Sequence, residues 1–456
     1  MAVSEVPAVV IGGGVAGLAA AWELGARGVS ATVLERAPRL GGLVESERTP
    51  EGALLEHGAD GLLADKVGGF EVLAALGLDE AIVRGGRAPK RAFVTDGDAL
   101  VEMPGGLFAF ERRAMWTMMT SPLLSVGTKL GLLVEPLRGR PPADDETVSS
   151  FFSRRMGDEV ARKLVAPMVQ GVFGAAATDV GVRSVFPKLA AMERQYGSLG
   201  IALLIAKRAP RGHGLVTLGG GMESLPRALA EGGRARGARI ETGKDVARLG
   251  QQGSMVRVEL TDGSVLHTSR VILATGVSRA AELVAPLVPA AADVLGAIRA
   301  SDAEVVSFVV PRAAIDHPLD GSGVVVAEDP ARPRRTLACT FASEKWHGRA
   351  PEGTVVLRSV LRGAPELEID ELIAAAREEL RVLIGLRAAD GTTRVRRRRG
   401  ALPVYAVAHQ ERVLRLNGAL ADDPRISVCG NYLRGVGVPD SVATGLEAAR
   451  RAAPPA

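Results

Sequence analysis

The tightest constraint on this chain is Gly12-Gly13-Gly14-Val15-Ala16-Gly17, a glycine loop between an apolar run, Ala8 to Ile11, and a small-residue stretch, Val15 to Gly25. An apolar run that stops at glycine reads as a buried parallel strand, and the stretch after it as a tightly packed helix. Gly12 permits the tight turn, Gly14 lets backbone approach a pyrophosphate, and Gly17 lets helix and strand pack closely. The helix that opens at Val15 and Ala16 then turns its positive end toward the phosphates. A second strand, Ser30 to Leu34, leads to Glu35, which stands 18 residues after Gly17. A carboxylate there can accept hydrogen bonds from a ribose diol. Arg36, beside it, is a further candidate for cofactor contact. Strand, loop, helix, strand and acid together predict a dinucleotide-binding βαβ unit.

A chain of 456 residues exceeds one ordinary core, so two or three domains are expected. Residues from about 65 to 86 read as helix. Arg91–Val94 and Ala99–Met103 read as a hairpin turning at Asp96-Gly97, and the pattern from about 108 to 195 is helical. Gly214 to Gly221 reads as a glycine-rich lead into a helix near Met222 to Glu231. Strands follow at Ala238–Glu241, Met255–Leu260, Val265–Thr268 and Val271–Ala274. From 300 to 400 strands alternate with one helix, Ile369–Leu383. The chain closes on a strand, Ile426–Cys429, a glycine loop and a helix, Asp440–Arg451. Cofactor signals at both ends and in the middle predict interleaved domains. One comprises 1–86, 212–276 and 405–456, a second 87–107 and 277–404, and a helical one 108–211.

Lys plus Arg number 56 and Asp plus Glu 52, a net charge of +4. That mild surplus suits an anionic small molecule or membrane surface and does not argue for nucleic acid. Cys339 and Cys429 are the only cysteines, too few for a disulfide framework or a zinc site, so no metal is expected. Ala114 to Thr128 is apolar, but Arg113 and Lys129 bound it and Pro122 interrupts it, so it falls short of the roughly 20 residues a membrane span needs. Met115, Trp116, Met118, Met119, Leu123 and Leu124, flanked by Arg112, Arg113 and Lys129, could lie in a membrane interface or cover the protein's own core. The first strand leaves no room for a signal peptide. The expectation is a cytoplasmic protein, with peripheral contact on the inner face of the membrane as a further candidate.

Arg39-Leu40-Gly41-Gly42, soon after Glu35, resembles the amine-oxidase-like FAD superfamily. So do Val271-Ile272-Leu273-Ala274-Thr275-Gly276 and the C-terminal Gly430-Asn431 with Gly435-Val436-Gly437-Val438. The resemblance implies FAD as cofactor, with Gly41, Gly42, Val246 beside the adenine, and Gly430, Asn431, Val436, Gly437 and Val438 closing over the flavin. The helix near Asp440 would then direct its positive end at the flavin N1–C2 carbonyl. Cys429 reads as a small core residue. The implied fold is α/β, a Rossmann-like FAD-binding domain interleaved with a mixed-sheet substrate domain and a helical domain.

Within that superfamily the chain resembles the porphyrinogen oxidases. The carriers are Gln170-Gly171-Val172-Phe173-Gly174 through Val182 to Leu189, Leu337 to Phe341, Lys345-Trp346, Ala350 to Gly353, and Ala401 to Tyr405 followed by His409. Departures occur where the family's usual tryptophan is Arg398, its glutamine Val404 and its glycine before histidine Ala408. The resemblance implies oxidation of coproporphyrinogen III in haem biosynthesis, with protoporphyrinogen IX as the alternative substrate. An amine oxidase, a carotenoid desaturase or a non-catalytic flavin scaffold are more remote readings. The flavin N5 would carry the chemistry with no certain catalytic side chain, dioxygen would be the oxidant, and ferrochelatase is a candidate partner. Arg91, Gly174, Phe341 and Arg398 are the expected substrate contacts. Arg394, Arg396 and Arg398 would share one strand face, bringing positive charge toward substrate propionates or guarding an edge strand.

Overall fold

The computed structural model describes residues 3–86, 91–106, 111, 113–139, 144–205, 214–387 and 390–453. Arg112 lies outside them. A five-stranded parallel sheet runs in the order Arg239–Thr242, Ala31–Glu35, Ala8–Ile11, Val271–Leu273, Ile426–Val428. The middle three strands are short apolar runs, and Ala8–Ile11 and Val271–Leu273 are buried at every position, as a sheet covered on both faces requires. One face is layered by alanine-rich helices, Val15–Ala26 and Val438–Ala452, whose Ala16, Ala20, Ala21, Ala448 and Ala449 share a core with Val10 and Val33. The other face packs against a four-stranded sheet built from Val3–Val6, Val265–Thr268, Met255–Leu260 and Val246–Gln252.

A seven-stranded mixed sheet runs Thr392–Pro403, Ala300–Pro311, Thr354–Arg362, Thr336–Phe341, Gly323–Val325, Phe93–Asp96, Ala99–Glu102. The helix Ile369–Ile384 covers it, laying down Leu372, Ala376, Leu380 and Leu383 at helical spacing. A reciprocal capping box between Glu368 and Glu371 starts that helix, and Gly385 ends it in the left-handed region. Residues 113–139 and 144–205 form a bundle of short helices around Phe151, Phe152, Leu164 and Leu189.

The mixed α/β architecture matches expectation, as do the strands over 8–35 and 255–273 and the hairpin at Asp96-Gly97. Several elements differ. The helix expected over 65–86 is confined to Phe70–Ala75, because Gly69 precedes it and Gly77, at φ +68°, ends it. The chain then makes a strand, Ile82–Val83, that pairs with Leu215–Leu218 inside the stretch expected to be a loop. Helices Val277–Val284, Pro289–Gly296 and His409–Ala421 were not expected. The first two share the core behind the five-stranded sheet.

Candidate active site

All five parallel strands end at one edge, so the loops after Ile11, Glu35, Leu273 and Val428 meet there. Gly12 turns at φ +112°, and a Cβ there would stand 2.6 Å from the Ala274 carbonyl oxygen. A Cβ on Gly17 would overlap the Gly12 carbonyl. These two glycines let strand and helix meet. Gly14 differs: the nearest atom to a Cβ there is Gly42 Cα at 3.9 Å, so the space beside it is open. Gly14 also caps the helix without a side chain, leaving first-turn amides for an anion.

Glu35 is pre-set by two backbone donors, Gly13 N to Oε2 at 2.6 Å and Ala37 N to Oε1 at 2.7 Å. Each carboxylate oxygen keeps capacity for a ribose hydroxyl. Arg36 is exposed. Gly41 bridges Gly14 and donates its N–H to the Gly13 carbonyl at 2.8 Å, so the two glycine segments lie backbone against backbone. Val246 turns its side chain into the core, and its carbonyl accepts from Arg279 Nη2. At the C-terminal loop, Gly430 donates to Thr444 Oγ1 at 3.0 Å. Asn431 is held from both sides, its carbonyl by the Tyr405 hydroxyl and its Nδ2 by the Ala401 carbonyl at 2.9 Å. The second helix opens at Val438, two residues earlier than expected, with Gly437 as an uncapped N-cap and Val436 just before it. Val438 itself is buried against the first helix. Two uncapped helix ends, an open glycine cradle and an oriented carboxylate at one sheet edge fit FAD. Burial pushes the Cys429 thiol up to about 12, consistent with an inert core residue.

The four expected substrate contacts do not converge. Gly174 ends the helix Ala166–Phe173 at φ +63°, and a Cβ there would overlap Leu402. Phe173 meets Tyr405 edge-on at 6.5 Å, and Tyr405 in turn bonds Asn431, which puts this turn one residue from the Gly430-Asn431 loop. Arg398 and Arg91 lie on opposite sides of the seven-stranded sheet, whose first and sixth strands are about 24 Å apart at ~4.8 Å per strand. The Arg91 guanidinium is engaged by Asp320, at its carbonyl (2.7 Å) and carboxylate, and by Glu102 Oε2 at 3.4 Å. Phe341 is 0% exposed, sealed in the core with Phe308 and Leu357, so its ring offers no face to a ligand. The charge expected from Arg394, Arg396 and Arg398 is largely compensated by two carboxylates. Arg394 pairs with Glu47 at 2.6 Å, Arg396 with Glu45 at 3.0 Å and Glu47 at 3.1 Å, and Arg398 with Glu45 at 2.5 Å.

Several further groups had no role assigned from the sequence. Arg349, buried, joins Glu56 (2.6 Å) to Thr217 (2.5 Å), and Lys345 pairs with Asp60 at 2.8 Å. Burial opposes ionisation of Asp60, but Lys345 and Arg358 outweigh it and hold the carboxyl well below its usual range. His409 is enclosed and stacks on Tyr405 at 4.5 Å; burial, aided by Arg412, pushes its pKa down to about 4. The one readable signal was complementary: Glu45-x-Glu47 and Arg394-x-Arg396-x-Arg398 repeat opposite charges at the same two-residue period.

Residues 15–453 match the family model described as flavin containing amine oxidoreductase. The chain is 33% identical to the coproporphyrinogen III oxidase of Propionibacterium freudenreichii, over 95% of this chain and 88% of that protein. It is 30% identical to the protoporphyrinogen oxidase of Homo sapiens, over 97% of each. A crystal structure from Exiguobacterium sp. 255-15 superposes with a TM-score of 0.84 at 25% identity, covering 98% of this chain and 99% of that one.

Proposed function

Because the chain belongs to the flavin-containing amine oxidoreductase family and is an FAD-dependent oxidoreductase, we propose that it oxidises porphyrinogens, with coproporphyrinogen III as preferred substrate. The observation that carries this reading is near full-length similarity to a coproporphyrinogen III oxidase at 33% identity. The chemistry supplied by FAD is two-electron acceptance from a methylene bridge carbon, with dioxygen as final acceptor. The resulting carbon cation is conjugated with electron-rich pyrroles, so little acid–base help is needed. The side chains nearest the flavin-side loop agree. The Tyr405 hydroxyl is committed to Asn431, and His409 is enclosed. The protein's share is holding and orientation: amides of Val15 to Gly17 on the pyrophosphate, Glu35 on the ribose, and Gly430 to Val438 on the flavin edge.

The test is kcat/KM for coproporphyrinogen III and protoporphyrinogen IX, side by side at matched detergent and oxygen. We expect at least about tenfold preference for the former, or roughly 1.4 kcal/mol of differential transition-state binding. Equal or reversed values overturn the substrate choice. If neither compound bleaches the flavin anaerobically, the porphyrinogen reading falls, and bleaching by an amine selects the amine-oxidase alternative.

Peripheral membrane contact belongs to the same proposal, on a different surface from the one expected. Met118, Leu123 and Leu124 are buried and Met115 and Met119 pack on the same core, so that segment mostly covers the protein's own interior. Trp116, 71% exposed, faces out. Beside it in sequence, Val126, Leu130, Leu133 and Leu137 are exposed at helical spacing, Leu137 by 85%. Among the described residues no helix is long and apolar enough to cross a membrane. In flotation with anionic vesicles we expect a bound fraction that Leu130→Glu with Leu137→Glu abolishes; wild type remaining wholly unbound overturns the contact.

A further inference from the structure

The arginine run sits on the edge strand Thr392–Pro403, and its inward-alternating members face the segment 45–48 that follows the Arg39-Leu40-Gly41-Gly42 turn. Glu45 is the junction. It receives Arg396 Nε at 3.0 Å and Arg398 Nη2 at 2.5 Å from the strand, and Arg39 Nη2 at 3.2 Å from its own turn. Arg39 in turn donates Nη1 to the carbonyls of Leu40 (3.0 Å) and Val44 (3.2 Å) and Nη2 to that of Gly42 (2.5 Å). It therefore ties together the backbone of the turn that bridges Gly14. Arg398 has a second anchor, donating Nε to the His57 carbonyl at 3.1 Å, and the His57 ring contacts Glu47 at 2.8 Å.

We propose that Arg396 and Arg398 are positioning residues for the cofactor: through Glu45 and Arg39 they hold the Gly41-Gly42 turn against Gly13-Gly14, pre-forming the cradle for the FAD pyrophosphate. This rests on the reading of the glycine loop as the FAD site. It gives the arginine run a role that is neither a substrate rim nor an edge guard. The Arg398 and Glu45 side chains are each 13% exposed, shielded enough for the pair to be firm. Burial opposes charge on Glu45, yet the hydrogen bonds from Arg396 and Arg398 prevail and hold its carboxyl at about 2, so the junction is ionised at neutral pH. A turn fixed before FAD arrives need not be ordered by it, and that ordering is what a loosened junction would add to the cost of binding.

The experiment compares FAD dissociation constants, measured by titrating deflavinated full-length protein. The variants are Arg398→Met, Glu45→Gln, their combination, and Arg399→Gln, whose guanidinium pairs with Asp302 on the opposite face. We expect each of the first two to weaken FAD binding about tenfold and the combination to cost no more than the worse single change, because the two residues act as a unit. Arg399→Gln should leave the constant unchanged. Melting of the deflavinated forms separates loosened binding from lost folding, and Glu45→Gln is the milder variant should Arg398→Met not fold. An unchanged constant in a variant that melts like wild type overturns the proposal. So does a raised KM for porphyrinogen at saturating FAD with the constant unchanged, which would make Arg398 a substrate contact. Failure of the glycine-loop reading shows separately, as retention of FAD by Gly14→Val.

Discussion

Gly14→Val is expected to yield folded protein that does not retain FAD. The backbone at Gly14, φ −75° and ψ 176°, is one any residue adopts, and its Cβ would approach only Gly42 Cα, at 3.9 Å. A Cβ therefore meets no obstacle in the fold, while the volume the side chain fills is the one a pyrophosphate needs to reach the helix amides. The loss should be at least about 100-fold in affinity, or roughly 2.7 kcal/mol, read by titrating deflavinated protein. Gly17→Val is the contrast: its Cβ would overlap the Gly12 carbonyl, so helix and strand must separate, and soluble protein should be scarce. Glu35→Ala should weaken retention less than Gly14→Val, since it removes ribose hydrogen bonds and leaves the phosphate cradle open. Yellow, FAD-retaining Gly14→Val would count against the cradle as the cofactor site.

Glu193→Ala should be among the most damaging single changes outside the cofactor site. Arg155 is wholly buried in the helical bundle and donates Nε to Glu193; its other contacts are the Arg138 carbonyl at 3.2 Å and Glu135 at 3.5 Å. Removing Glu193 leaves a buried guanidinium short of its principal partner, which costs about 3–5 kcal/mol. Arg154, also paired with Glu193 at 2.7 Å, is partly exposed and keeps its existing pair with Glu146 and access to water. A fall in Tm on the order of 5 °C or more is expected by thermal unfolding of the flavin-loaded protein. Arg155→Met together with Glu193→Leu should recover part of that fall, because an apolar pair replaces the ion pair and the buried Glu135 carboxylate, which loses its cation, keeps its hydrogen bonds from Ser198, Leu199 and Gly200. A double variant no better than Glu193→Ala would mean that packing, not the stranded charge, sets the cost.

Local spacing was enough to establish the dinucleotide-binding unit. Gly12, Gly14 and Gly17 follow a strand by fixed offsets and Glu35 ends the next one, and within so short a segment backbone sterics admit few alternatives. The same holds for the hairpin at Asp96-Gly97 and for the helix Ile369–Ile384 with its periodic apolar face. What touches these elements was decided by topology. Arg394, Arg396 and Arg398 were legible as one strand face, but nothing local says that Glu45 and Glu47, about 350 residues earlier, lie opposite and pair with them. Phe341 and Arg91 were expected as substrate contacts, yet one is sealed in the core and the other engaged by Asp320. The helix expected over 65–86 ended at Gly77, and nothing local says that Ile82–Val83 beyond it pairs with a strand more than 130 residues away. Backbone conformation and side-chain period are short-range quantities, written in neighbouring residues. Charge compensation, burial and strand partnership depend on which distant segment the fold brings alongside, and only the tertiary structure contains that.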